Sequence, residues 1–146
     1  MEYAIVDIET TGGSPSTSKI TEIAIVITDG ENIIDSYETL LFPEQNIPYN
    51  ITALTGISNQ MVAHSPKFFE VAKTILSYLE GRVFVAHNVN FDYGFVKQEF
   101  KSLGFSYESE KMCTVRLSRK AFPGLPSYSL GKLSKSLGVK LNNAHR

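Results

Sequence analysis

The sequence predicts a mixed α/β domain: a three-strand antiparallel meander, further strands parallel to it, and flanking helices. Three observations carry this prediction. Apolar runs open the chain and return twice within the first 42 residues, with a hairpin signal at Asp29-Gly30. Beyond residue 60, helix-period and strand-like stretches alternate. The length of 146 residues, with 42% apolar and 20% charged side chains, fits one domain with a proper core.

The elements follow in order. Tyr3 to Ile8 reads as a buried strand, placed centrally in the sheet. Ile20 to Thr28 is a second strand, nearly continuous in Ile23, Ala24, Ile25, Val26 and Ile27. Ile33 to Phe42 returns as a third, and Pro43 and Pro48 mark a loop. Tyr49 to Gly56 and Asn59 to Ala63 predict two short helices. Ser65-Pro66 reads as an N-cap with Pro at the first helical position. The helix it opens turns Phe68, Val71, Ala72, Ile75 and Leu79 inward and stops at Gly81. Val83 to Ala86 is a fourth strand. Phe91 to Leu103 is a helix with Phe95, Phe100 and Leu103 inward. Thr114 to Ala121 and Ser129 to Leu137 predict two more.

The net charge of -1 hides an asymmetry. Residues 1 to 80 hold 11 acids and 3 bases, a balance of -8; residues 81 to 146 hold 4 acids and 11 bases, a balance of +7. A basic surface beside an acidic centre, in contact with a polyanion, is one reading; a solvated helix face is the other. The single Cys113 excludes an internal disulfide and fits a reducing compartment, reading as a small semi-buried hydrophobe. No apolar run reaches the roughly 18 residues of a membrane span, and no signal peptide opens the chain, so a cytoplasmic protein is expected.

"AIVDIETTGG", residues 4 to 13, carries chemistry. Side chains alternate along a strand, so Asp7 and Glu9 point to one side and Ile8 to the core. Two carboxylates on one face repel unless a cation lies between them. Mg2+ and Mn2+ take such oxygen ligands. An ordinary charged strand end is the alternative, and partners elsewhere in the chain decide. "VAHNVNFD", residues 85 to 92, supplies one: Asp92 stands just past a strand, at a helix start. The helix dipole alone also favours a carboxylate there.

Together these stretches resemble the first two motifs of the DEDD-type (DEDDh) 3'-5' exonucleases. The branch it resembles contains the proofreading epsilon subunit of bacterial replicative DNA polymerase. "DIETTGG" is similar to the first motif and "VAHNVNFD" to the second. "ALTGIS" (residues 53 to 58) resembles the loop before the second motif. "SYSLGKLSKSLGV" (127 to 139) resembles the helix before the third motif, and "NAHR" (143 to 146) that motif's start. The resemblance covers essentially the whole chain, in order.

It implies an RNase H-like fold with a mixed five-stranded sheet, and a two-metal phosphodiesterase. Asp7, Glu9 and Asp92 would hold two Mg2+ or Mn2+ ions, with Glu9 also touching the terminal sugar hydroxyl. His145 would be the general base. Thr10, Thr11 and Gly12 would lie near the terminal nucleotide, and Leu54, Thr55 and Phe91 would pack on the last bases. Lys97, Lys101, Arg116, Arg119, Lys120, Lys132 and Lys135 form the pool for phosphate contacts. His64 and His87 read as a loop residue and a strand-end hydrogen bonder. The family places a fourth carboxylate about one helical turn after the histidine. The chain ends one residue after His145, so a single exonuclease domain over residues 1 to 146, truncated before its last helix, is expected. The expected activity is release of nucleoside monophosphates from DNA 3' ends, beside a polymerase or a fused nuclease domain. The same chemistry on RNA, and an inactive tethering module, are the rival readings.

Overall fold

The computed structural model describes residues 1–140. Five strands form one mixed sheet: β1 (Tyr3–Thr10), β2 (Ile20–Thr28), β3 (Ile33–Leu40), β4 (Val83–Ala86) and β5 (Lys111–Cys113). Their order is β3-β2-β1-β4-β5, so β1 is central. β1, β2 and β3 pair antiparallel, whereas β4 runs parallel to β1 and β5 parallel to β4. Six helices complete the described chain: α1 (Tyr49–Thr55), α2 (Asn59–Val62), α3 (Phe68–Leu79), α4 (Val89–Ser102), α5 (Thr114–Ala121) and α6 (Leu130–Ser136).

The core lies on one face of this sheet. Ala4, Val6, Ile8, Ile23, Ile25 and Ile27 meet Phe68, Ala72, Ile75 and Leu79 of α3 and Tyr93, Phe95, Val96 and Phe100 of α4. Removing this apolar surface from water is the main stabilising term. A smaller cluster of Ile47, Ile57 and Val62 seats α1 and α2 beside the end of β3. Gly56 closes α1 in the left-handed region at φ 75°, donating its N–H to Thr52 O.

The predicted mixed sheet stands, with local corrections. β5 was not located from the sequence: three residues are too few to show a period. β1 is buried on one face only, and Ile5 on the other is 41% exposed. The helix expected to start at Ser65-Pro66 starts at Phe68, with Lys67 as its N-cap. Pro66 O accepts from Phe42 N at 2.9 Å and Lys67 N donates to Glu70 Oε1 at 2.9 Å, so the chain stays extended two residues longer. α4 starts two residues before Phe91, because Asn88 takes a left-handed conformation (φ 66°, ψ 61°) and turns the chain at once. Leu103, expected inward, caps α4 and is exposed, and Val71 is only partly buried.

Candidate active site

The end of β1 places the first two acids. Asp7 and Glu9 alternate with buried Ile8 and Thr10, so both carboxylates leave from the sheet face opposite the core. The β1–β2 register shifts between Glu9 and Thr10, and this bulge redirects the chain out of the sheet just past the acids. Glu22 of β2 lies directly across from Glu9.

Asp92 comes from the first turn of α4 and is 5% exposed. Its Oδ2 accepts the Ile8 backbone N–H at 3.1 Å, wedging it between the two acids of β1 across 84 residues of sequence. Burial, then the Asp7 charge and more weakly the Glu9 charge, push its carboxyl up to about 8; the Ile8 N–H acts in the opposite direction. The donor set is therefore all carboxylate oxygen, mutually repelling and partly desolvated, which fits a hard divalent cation. Among the described residues, no group of three or more His, Cys, Asp or Glu side chains stands close enough together to hold a metal ion. Water and substrate phosphate, the usual remaining ligands of Mg2+, would complete the shell.

The loop after β1 is tied down by its own polar groups. Thr11 Oγ1 donates to Gln45 Oε1 and accepts the Lys19 N–H, while Thr11 N donates to Lys19 O. Thr10 Oγ1 donates to Gly12 O at 2.6 Å. Gly12 is packed so closely that an added Cβ would stand 2.5 Å from Ser18 Oγ. Both threonine hydroxyls therefore shape the loop. Thr55 is likewise buried, donating to Ile51 O and accepting from Ile57 N. Leu54 (61% exposed) and Phe91 (38% exposed) are the accessible apolar members of the predicted set. The Phe91 ring lies 5.0 Å from that of Phe95. His145 lies outside the described residues.

Sequence reading missed several contributors. Glu99, on α4 seven residues after Asp92, is buried and binds Lys19 Nζ at 2.7 Å and Ile20 N at 3.2 Å. It thus clamps the far end of the loop that follows β1. The seven-residue spacing of two acids on one helix was the available signal. His87 does more than end a strand. Its Nε2 donates to Tyr128 O at 2.7 Å and its Nδ1 meets Thr114 Oγ1 at 2.9 Å, joining β4 to α5 and to the segment before α6. A cleft of about 1870 Å³ opens here, lined by Asp7, Glu9 and Glu22 and by residues of α5 and its flanks.

A protein-family model described as Exonuclease (RNase_T) matches residues 4–146. The chain belongs to the exonuclease family. It is 42% identical over 146 residues to the 3'-5' exonuclease DinG of Bacillus subtilis (strain 168), covering 99% of this chain and 16% of that protein. The DNA polymerase III PolC-type protein of Clostridium perfringens (strain 13 / Type A) is also 42% identical over 146 residues, covering 99% of this chain and 10% of its own length. The chain thus spans a small part of the curated relatives it matches. Among solved structures, Exonuclease X in complex with 5' overhanging duplex DNA aligns at a TM-score of 0.74 and 27% identity, over 95% of this chain and 75% of that one. A structure of exonuclease I aligns at 0.88 and 21% identity, over 99% and 37%, which shows the shared RNase H-like fold. Among the described residues, no helix is long and apolar enough to cross a membrane.

Proposed function

We propose that residues 1 to 146 form one metal-dependent 3'-5' exonuclease domain. It hydrolyses phosphodiester bonds at the 3' ends of single-stranded or frayed DNA and releases nucleoside monophosphates. The observation that carries this reading is the meeting of Asp92 with Asp7 and Glu9, fastened by the Ile8 N–H. Kinship to proteins named as a 3'-5' exonuclease and a PolC-type polymerase supports DNA 3' ends as the partner and proofreading or repair, in the cytoplasm, as the setting.

Asp7, Glu9 and Asp92 would hold two divalent ions, Mg2+ or Mn2+. When bound, these would supply Lewis-acid activation of water and charge neutralisation at the leaving oxygen. Asp92 would hold an ion as its carboxylate anion, since only the deprotonated form is a good ligand. Glu9 orients the terminal sugar hydroxyl. His145 takes the proton of the attacking water, a task suited to an imidazole with an unperturbed pKa of about 6.5. The Thr10-Thr11-Gly12 backbone borders the terminal nucleotide, and Leu54 and Phe91 offer it sequence-tolerant apolar contact.

A 5'-labelled single strand incubated with Mn2+ tests the reading. A descending ladder of labelled products, lost in Asp7→Asn, is expected. Immediate release of the labelled terminal nucleotide would mean the opposite polarity and overturn it.

A further inference from the structure

We propose that the phosphates of the single DNA strand behind its 3' end run along one face of α5, on Arg116, Arg119 and Lys120. This rests on reading the carboxylate end of the cleft as the nuclease centre. Acids and bases share the lining of one cleft: Asp7, Glu9 and Glu22 from β1 and β2, and Arg116, Arg119 and Lys120 from α5, with Lys111 of β5 beside them. Positions 116, 119 and 120 are spaced i, i+3, i+4, which gathers them on one side of the helix. Like charges at that spacing repel, so helix stability does not account for the set. The helix dipole favours Arg119 and Lys120 in the last turn but not Arg116. All three are exposed, and among the described residues none forms an ion pair.

Several other basic residues are placed differently. Lys19 is bound to Glu99, Lys67 to Glu44 and Lys97 to Glu108. Lys73 and Lys101 do not line the cleft. The basic face is also firmly mounted, although α5 has no fully buried residue. His87 holds Thr114 at its head, and Arg119 lies 5.7 Å from the Tyr128 ring, whose backbone carbonyl the same histidine holds. Leu117, Leu125, Pro126 and Leu130 line the cleft beside these cations and give the bases an apolar surface without reading their edges. Eight residues make α5 about 12 Å long, enough for a few phosphates but not for an extended track.

The test compares binding of the 146-residue chain to a fluorescent dT12 strand in Ca2+ at several salt concentrations. Each lost phosphate contact lowers the log–log salt slope by about 0.7, so R116A/R119A/K120A should lose about 2 from the slope. Its affinity at low salt should fall on the order of a hundredfold. K73A/K97A/K101A removes the same charge outside the cleft and should change the slope far less. Equal losses in the two triple variants, or none in the first, would overturn the proposal. In parallel, wild-type turnover of a thymidine p-nitrophenyl phosphodiester with Mn2+, lost in Asp7→Asn, reports the carboxylate centre without a trailing strand. Turnover together with an α5-insensitive slope rejects the strand path alone; turnover that survives in Asp7→Asn rejects the nuclease reading itself.

Discussion

Asp92 shows how a single residue sets the electrostatics of the site. Its folded pKa of about 8 stands above the ordinary 3.8, first because it is buried and then because Asp7 faces it. The sign follows by linkage: the folded chain binds more protons than the unfolded chain between those values. Stability from the neutral carboxyl is fully present below about pH 4 and is lost as pH rises through about 8. In EDTA, the wild-type melting temperature should therefore fall between pH 5 and pH 9. Asp92→Asn keeps an acceptor for the Ile8 N–H without a charge, so its melting temperature should fall less and exceed wild type at pH 9. Thermal melts by circular dichroism check this, and parallel curves for the two proteins would contradict it. The pair "D-x-E" was legible from strand alternation; the proton on Asp92 was not, because burial and the approach of α4 create it.

At the scale of elements, α4 is the strut of the site. Asn88 starts it with a tight left-handed turn, which Asn tolerates better than most residues. Its first turn delivers Asp92 to β1, and two turns later Glu99 reaches Lys19 and the Ile20 N–H at the start of β2. One helix thus bonds β1 at Ile8 and the start of β2 at Ile20, on either side of the loop from Thr11 to Ser18. Glu99→Ala removes an anion 4% exposed and leaves a buried N–H without its acceptor. We expect a loss of about 3 kcal/mol in urea unfolding, the usual cost of breaking a buried pair from one side. Glu99→Gln, which keeps an acceptor for Ile20 N, should recover part of it. A loss below about 0.5 kcal/mol, the level of an ordinary surface change, would show that the clamp is not structural. The spacing of Asp92 and Glu99 was visible in the sequence, but the partners of the clamp and of β5, about 80 and 27 residues away, were not.

For the whole molecule, the proposed metal site would couple folding to cations. The central strand carries Asp7 and Glu9 on its open face, while the opposite face holds the core. A ligand that binds only the folded state stabilises it by RT ln(1 + [L]/Kd), about 2.7 kcal/mol at a hundredfold excess over Kd. Mn2+ must displace the Asp92 proton, so its stabilising effect should grow from pH 6 to pH 8. Melts with and without 1 mM Mn2+ at the two pH values measure this. An equal shift at both would remove Asp92 from the ligand set.

The sequence by itself determined the mixed sheet, most strand and helix limits, and the carboxylate motifs with their family. Each is written in local spacing: a period of two in β1 and β2, a helical period in α3, and compact runs such as "DIETTGG" and "VAHNVNFD". Tertiary structure alone decided which polar side chains turn inward as struts and which face the cleft. The Thr11 hydroxyl bonds Gln45 and the Lys19 N–H, and the Thr55 hydroxyl bonds Ile51 O and the Ile57 N–H, ties that the motifs themselves do not show. Arg116, Arg119 and Lys120 read like any other basic residues until the fold set them in one cleft with Asp7 and Glu9. The physical reason is range: periodicity is a property of neighbours in the chain, whereas burial and charge coupling depend on which distant segments the core draws together.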